Sequence, residues 1–70
     1  MQEYISNEVN KLRNQKSITQ EELAEKLRVS RQTIIAIEKG NYTPSVLLAI
    51  KIASFFKLSV EDIFKISYEK

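Results

Sequence analysis

Seventy residues, 43% hydrophobic and 29% charged, suffice for one small core and no more. With neither cysteine nor histidine, the chain can form no disulfide, lacks zinc's usual nitrogen and sulfur ligands, and has no histidine-assisted nucleophile. Most enzymatic readings fall away, and no cofactor or small-molecule ligand is implied. The net charge of +2 is polarised: residues 26–57 carry Lys26, Arg28, Arg31, Lys39, Lys51 and Lys57 against Glu38 alone, a surplus of +5, while the rest stands at −3. A cationic middle is the footprint of phosphate-backbone binding, with a plain solvated helix face as the alternative. The longest strongly apolar stretch, Val46 to Phe56, is only about half a membrane span, so no membrane partner is expected. Met1-Gln2-Glu3-Tyr4-Ile5 shows no basic segment followed by an apolar one, which makes a signal peptide unexpected and a cytoplasmic location the expectation.

Glycine and proline occur once each, so boundaries must be read from helix caps. A first helix is expected from Asn7 to Gln15, with Ser6 as a weak cap. Thr19 followed by Glu22 is a capping box, and Ile18 with Leu23 forms the flanking hydrophobic staple, giving a second helix from Gln20 to Leu27. The same grammar at Ser30, with Val29 and Ile34, opens a third helix from Arg31 to Lys39. Gly40 then closes it as a left-handed cap. Thr43 before Pro44 predicts a fourth helix from Pro44 to Phe56, and Ser59 a fifth from Val60 to Phe64.

Apolar spacing of three or four residues runs through Val9 and Leu12; Leu23, Ala24 and Leu27; and Ile34 and Ile37. In the fourth helix it assigns Val46, Ala49, Ile50, Ala53 and Phe56 to the core and leaves Leu48 and Phe55 outward. Beyond the helices, Phe64, Ile66 and Tyr68 alternate with Lys65 and Ser67, the period of a short strand able to pair with Tyr4 and Ile5. The expected architecture is a single all-α domain over residues 1–70, built of five helices, with room for short terminal β-strands.

Too few residues separate Leu27 from Ser30 for the second and third helices to fold back antiparallel. They must meet steeply across a tight turn, as a helix-turn-helix. The run from Gln20 to Gly40, Gln-Glu-Glu-Leu-Ala-Glu-Lys-Leu-Arg-Val-Ser-Arg-Gln-Thr-Ile-Ile-Ala-Ile-Glu-Lys-Gly, resembles the XRE-type helix-turn-helix family of Cro and phage repressors. Ala24 stands where that family has a small residue at the helix crossing, and Leu23, Leu27, Val29, Ile34 and Ile37 stand at its core positions. The likeness extends through Leu12-Arg13, Thr43-Pro44-Ser45, Lys51-Ile52-Ala53 and Val60-Glu61-Asp62-Ile63-Phe64, about residues 7 to 64. It departs at Arg28, where the family usually has glycine; Arg28 also adds a cation on the side that would face DNA.

The resemblance implies a lambda-repressor-like fold and a third helix that reads DNA. Arg31, Gln32, Thr33, Ile35 and Ala36 are the expected base readers. Arg can fork to guanine, Gln can pair with adenine, and the apolar groups can meet a thymine methyl. Gln20, Ser30, Lys39, Asn41, Tyr42, Thr43 and Ser45 are the expected phosphate ligands, Thr43 doubling as a cap. Arg13 and Glu38 are implied to form a partly buried ion pair between the first and third helices.

The function expected is that of a sequence-specific DNA-binding transcriptional regulator, a repressor working on double-stranded DNA as a homodimer that reads a palindromic operator. Phe55, Ile63, Phe64, Ile66 and Tyr68 are the expected dimer contacts, since a small monomer should not expose so many large apolar groups. The alternative is a protein-interaction module of antitoxin or coactivator-bridging type; an enzyme is not expected.

Overall fold

The computed structural model describes residues 2–69. In chain order they form β1 (Gln2–Asn7), α1 (Val9–Gln15), α2 (Gln20–Leu27), α3 (Arg31–Lys39), α4 (Val46–Phe56), α5 (Val60–Ile63) and β2 (Phe64–Glu69). The chain is therefore mostly helical, and a short sheet joins its two ends. β1 and β2 run antiparallel, with Tyr4 opposite Ser67 and Ile5 opposite Ile66. The short terminal strands that the sequence left room for are present, and the alternation of Phe64, Ile66 and Tyr68 marks one of them.

Sheet pairing also moves the start of α1 from Asn7 to Val9. Ser6 is not a cap: its hydroxyl lies 2.8 Å from that of Ser67 across the sheet. Asn7 serves the junction instead, its Oδ1 accepting from the Val9 N–H at 3.1 Å and its Nδ2 donating to the Ile37 carbonyl at 2.9 Å.

α2 and α3 begin and end where their caps place them. Thr19 Oγ1 accepts from the Glu22 N–H at 3.0 Å while Glu22 Oε1 accepts from the Thr19 N–H at 2.8 Å. Ser30 Oγ accepts from the Thr33 N–H at 3.2 Å. Gly40 sits at φ 79°, left-handed, and its N–H returns to the Ile37 carbonyl at 3.0 Å. Arg28 ends α2 at φ 60° and ψ 44°, so the turn keeps a left-handed geometry in spite of its bulky residue. That costs about 1–2 kcal/mol. The Val29 N–H then donates to the Ala24 carbonyl at 3.0 Å, and Val29 packs onto the core.

α4 differs from the sequence reading in both start and face. Ser45, not Thr43, is its cap, Oγ accepting from the Leu48 N–H at 3.1 Å. Pro44 lies before the helix, and its ring disfavours helical backbone at Thr43. Leu48, Ile52, Ala53 and Phe56 are buried, whereas Val46 is 77% and Ile50 51% exposed. An almost continuously apolar helix offers several faces at three-and-four spacing, so periodicity alone does not choose among them.

The core consists of Val9, Leu23, Ala24, Leu27, Ile34, Ile37, Leu48, Ile52, Ala53, Phe56 and Ile63. Ile63, expected at a dimer contact, is fully buried in this core and has no surface to offer a partner. Phe55 and Phe64 are half-buried against the same core, while Ile66 and Tyr68 remain exposed. Among the described residues no helix is long and apolar enough to cross a membrane.

Ala24 is 3% exposed where α2 packs on α3. Replacing its methyl by the isobutyl group of leucine should destabilise the domain by about 1–3 kcal/mol through overpacking. Thermal melts of Ala24→Leu check this, and an unchanged melting temperature would place the helix crossing elsewhere.

Candidate nucleic-acid interface

α3 is held at its C-terminal end by one carboxylate. Glu38 Oε2 accepts from Arg13 Nε at 2.7 Å, and its Oε1 accepts from Arg13 Nη2 at 3.1 Å, Asn10 Nδ2 at 3.0 Å and Gln20 Nε2 at 3.1 Å. Arg13 Nη1 also donates to the Ile18 carbonyl at 2.8 Å. The side chains of Arg13 and Glu38 are 11% and 5% exposed, so the implied ion pair is present and shielded from water. Burial alone would push the Glu38 carboxyl up; the hydrogen bonds from Arg13, Asn10 and Gln20, with the charge of Arg13, outweigh it and hold the group below its ordinary value. On Arg13 the hydrogen bond to Glu38 outweighs burial and raises the guanidinium further. Asn10 was not anticipated from the sequence, although it lies on the same face of α1 as Arg13.

The opposite end of α3 is open. Arg31 and Gln32 are exposed in its first turn, and neither side chain is engaged in a hydrogen bond or ion pair among the described residues. Thr33 is half-buried, its hydroxyl 3.0 Å from that of Ser30. Ile35 and Ala36 are half-buried as well, so the base-reading set divides into exposed polar members and recessed small or apolar ones.

The expected phosphate ligands are dispersed around this helix. Gln20 commits one amide N–H to Glu38. Ser30 and Ser45 are both engaged as helix caps. Lys39, Asn41, Tyr42 and Thr43 are exposed, and Thr43, relieved of capping, has a free hydroxyl among the described residues. Two grooves flank the N-terminal part of α3. One brings Thr33, Tyr42 and Ser45 together with Arg28 and Lys51, neither of which had been assigned as a ligand. The other sets Gln20, Arg31 and the Glu38-paired Arg13 beside Glu21, Glu22 and Glu25, a groove of mixed charge. Lys39 lies apart, in a hollow with Tyr4, Ile5 and Gly40.

A buried ion pair whose hydrogen-bond network joins three helices, a capped turn and an exposed helix start define a helix-turn-helix domain. Residues 9–63 match the family model described as Helix-turn-helix, and the chain belongs to this XRE-type helix-turn-helix family. It is 69% identical over 48 residues to the uncharacterized HTH-type transcriptional regulator MJ0272 of Methanocaldococcus jannaschii, covering 69% of this chain and 73% of that protein. It is 46% identical over 65 residues to the uncharacterized HTH-type transcriptional regulator YgzD of Bacillus subtilis, covering 93% of this chain and 98% of that protein. An uncharacterized HTH-type transcriptional regulator of Methanothermobacter thermautotrophicus is 55% identical over 53 residues, 74% of this chain and 77% of that protein.

Arg13→Ala leaves Glu38 buried without its cation and should cost about 3–5 kcal/mol in urea denaturation. Because the folded Glu38 carboxyl sits below its unfolded value, its contribution is present above the unfolded value of about 4.3 and is lost as pH falls through the depressed folded one. Glu38→Gln should erase that part of the acid dependence. The difference between wild-type and variant stability, followed from neutral pH downward, measures it, and parallel curves would contradict the assignment.

Proposed function

We infer that the protein is a sequence-specific DNA-binding transcriptional regulator of lambda-repressor-like arrangement, acting as a repressor. The observation that carries this reading is the polarity of α3: its C-terminal end is locked by Glu38 while Arg31 and Gln32 stand free at the start. An exposed Arg and Gln on a rigid helix start suit major-groove acceptors and the adenine edge. Thr33, Ile35 and Ala36 supply methyl groups behind them, and Gln20, Ser30, Lys39, Asn41, Tyr42, Thr43 and Ser45 supply backbone contacts. The relatives' name, transcriptional regulator, supports the same reading.

Selection from random duplexes with the purified protein should yield a defined half-site. Arg31→Ala and Gln32→Ala should each relax preference at one or two base positions by about 1–3 kcal/mol, whereas Lys39→Ala should weaken all sequences alike. Binding to single-base variants of the selected site checks this; an unchanged profile in both reader variants would falsify the assignment.

The working form is a homodimer on a palindromic operator. One helix start spans too few base pairs for specificity, and two-fold pairing would set a second about 34 Å away in the next major groove. Ile66 and Tyr68, 60% and 56% exposed beside the half-buried Phe64, are the contacts this reading retains. Sedimentation at micromolar protein should give a dimer, and Ile66→Asp with Tyr68→Asp a folded monomer; a wild-type monomer that binds a palindrome without cooperativity would oppose it.

A second reading, a protein-interaction module, is favoured by Val46, Leu47 and Ile50, exposed together at the start of α4. Salt separates the two. Phosphate contacts make log affinity fall linearly with log salt, and an apolar protein contact does not.

A further inference from the structure

The groove beside the start of α3 contains two cations with no partner. Arg28, the left-handed residue that ends α2, and Lys51, half-buried midway along α4, both line a cavity of about 320 Å³ with Thr33, Tyr42 and Ser45. No carboxylate lines it, and neither cation makes an ion pair among the described residues. Two like charges on one concave wall repel each other and focus a positive potential into the space between them. An anion relieves that repulsion.

We propose that Arg28 and Lys51 together bind a phosphodiester of the DNA backbone at the edge of the major groove that α3 enters, a specific clamp that rests on the DNA-binding reading above. Three observations converge on it. Thr33 belongs to the first turns of α3, so the cavity borders the reading end and not its anchored end. Two hydroxyl-bearing residues, Thr33 and Tyr42, line it together with an arginine and a lysine, a set of donors that suits a tetrahedral monoanion. The groove on the other side of α3 mixes Glu21, Glu22 and Glu25 with Arg31 and with Arg13, which is already paired to Glu38, so three carboxylates oppose a backbone anion there and none does here.

Arg28 also provides an unusual control. At φ 60° glycine is better suited than arginine, so Arg28→Gly should raise the melting temperature while removing the cation. Lys51→Gln keeps most of the stem that packs in the groove. Anisotropy titrations of the selected duplex and of an unrelated duplex, across a salt series, test the pair. Each substitution should reduce the slope of log affinity against log salt by about 0.9, weaken both duplexes by the same factor, and leave base preference intact. Wild-type slopes in both variants would overturn the clamp even with operator binding retained. Amide shifts of Thr33 and Tyr42 with inorganic phosphate, combined with unchanged DNA slopes, would overturn it in favour of a free-anion site. If the wild-type protein binds no duplex at low salt, the DNA-binding reading itself fails and the clamp with it.

Discussion

Everything on the proposed reading surface depends on a carboxylate in an unfavourable place. Glu38 lies in the last turn of α3, where the helix dipole opposes a negative charge by about 0.3–1 kcal/mol, and it is almost wholly removed from water. Neither local preference nor burial explains it. The explanation is tertiary: donors from Asn10 and Arg13 on α1 and from Gln20 on α2 converge on its two oxygens. Breaking such a buried pair costs about 3–5 kcal/mol, several times the dipole penalty, so the tertiary network wins. Because its members come from three helices, it determines how α3 is rolled about its own axis as well as where it lies.

That roll decides which side chains are available. A helix of nine residues is too short to be stable by itself in water, and α3 owes its shape to the Ser30 cap, the Gly40 terminus and the Ile34 and Ile37 contacts with the core. With its far end held by Glu38, the near end can present Arg31 and Gln32 without first being ordered, which lowers the entropic cost of binding. The paired hydroxyls of Ser30 and Thr33 are not exhausted by their internal roles. Each hydroxyl carries one proton; the contact between them uses one, and the Thr33 N–H occupies only an acceptor site. One hydroxyl proton remains for an external oxygen.

How much of this could be read from the sequence depended on the range of the interaction. Thr19 with Glu22, Ser30 with Thr33, and Gly40 act within one helical turn, and the bounds of α2 and α3 followed from them. At α4 the cap reading from Thr43 and Pro44 failed, because the ring of Pro44 disfavours helical backbone at Thr43 and Ser45 caps the helix instead. The buried face of α4 was illegible for a related reason: with nearly every position apolar, the pattern contains no contrast, and only the placement of α2 and α5 selects Leu48 and Ile52 over Val46 and Ile50. The proposed interface rests on exposed residue types that the sequence itself offers, Arg31 and Gln32. Asn10 was not legible, because it donates its hydrogen bond to Glu38, distant in the chain, which a helix period does not reveal.

The left-handed positions bring stability and surface charge into one comparison. Ser17, Arg28 and Lys57 all have positive φ, and a residue with a side chain loses about 1–2 kcal/mol there. For Arg28 and Lys57 part of this is offset, since each ends a helix and places a cation beside its terminal carbonyls, a gain of about 0.3–1 kcal/mol. The two differ in their surroundings. Lys57 ends α4, and the capping gain offsets part of its strain. Arg28 carries the same strain and the same partial offset, yet it lines a cavity that Lys51 also lines, where a second cation is electrostatically unfavourable in the free protein. Strain and repulsion therefore act at Arg28 in the same direction, both against folding, and a negatively charged ligand reverses the sign of the electrostatic contribution.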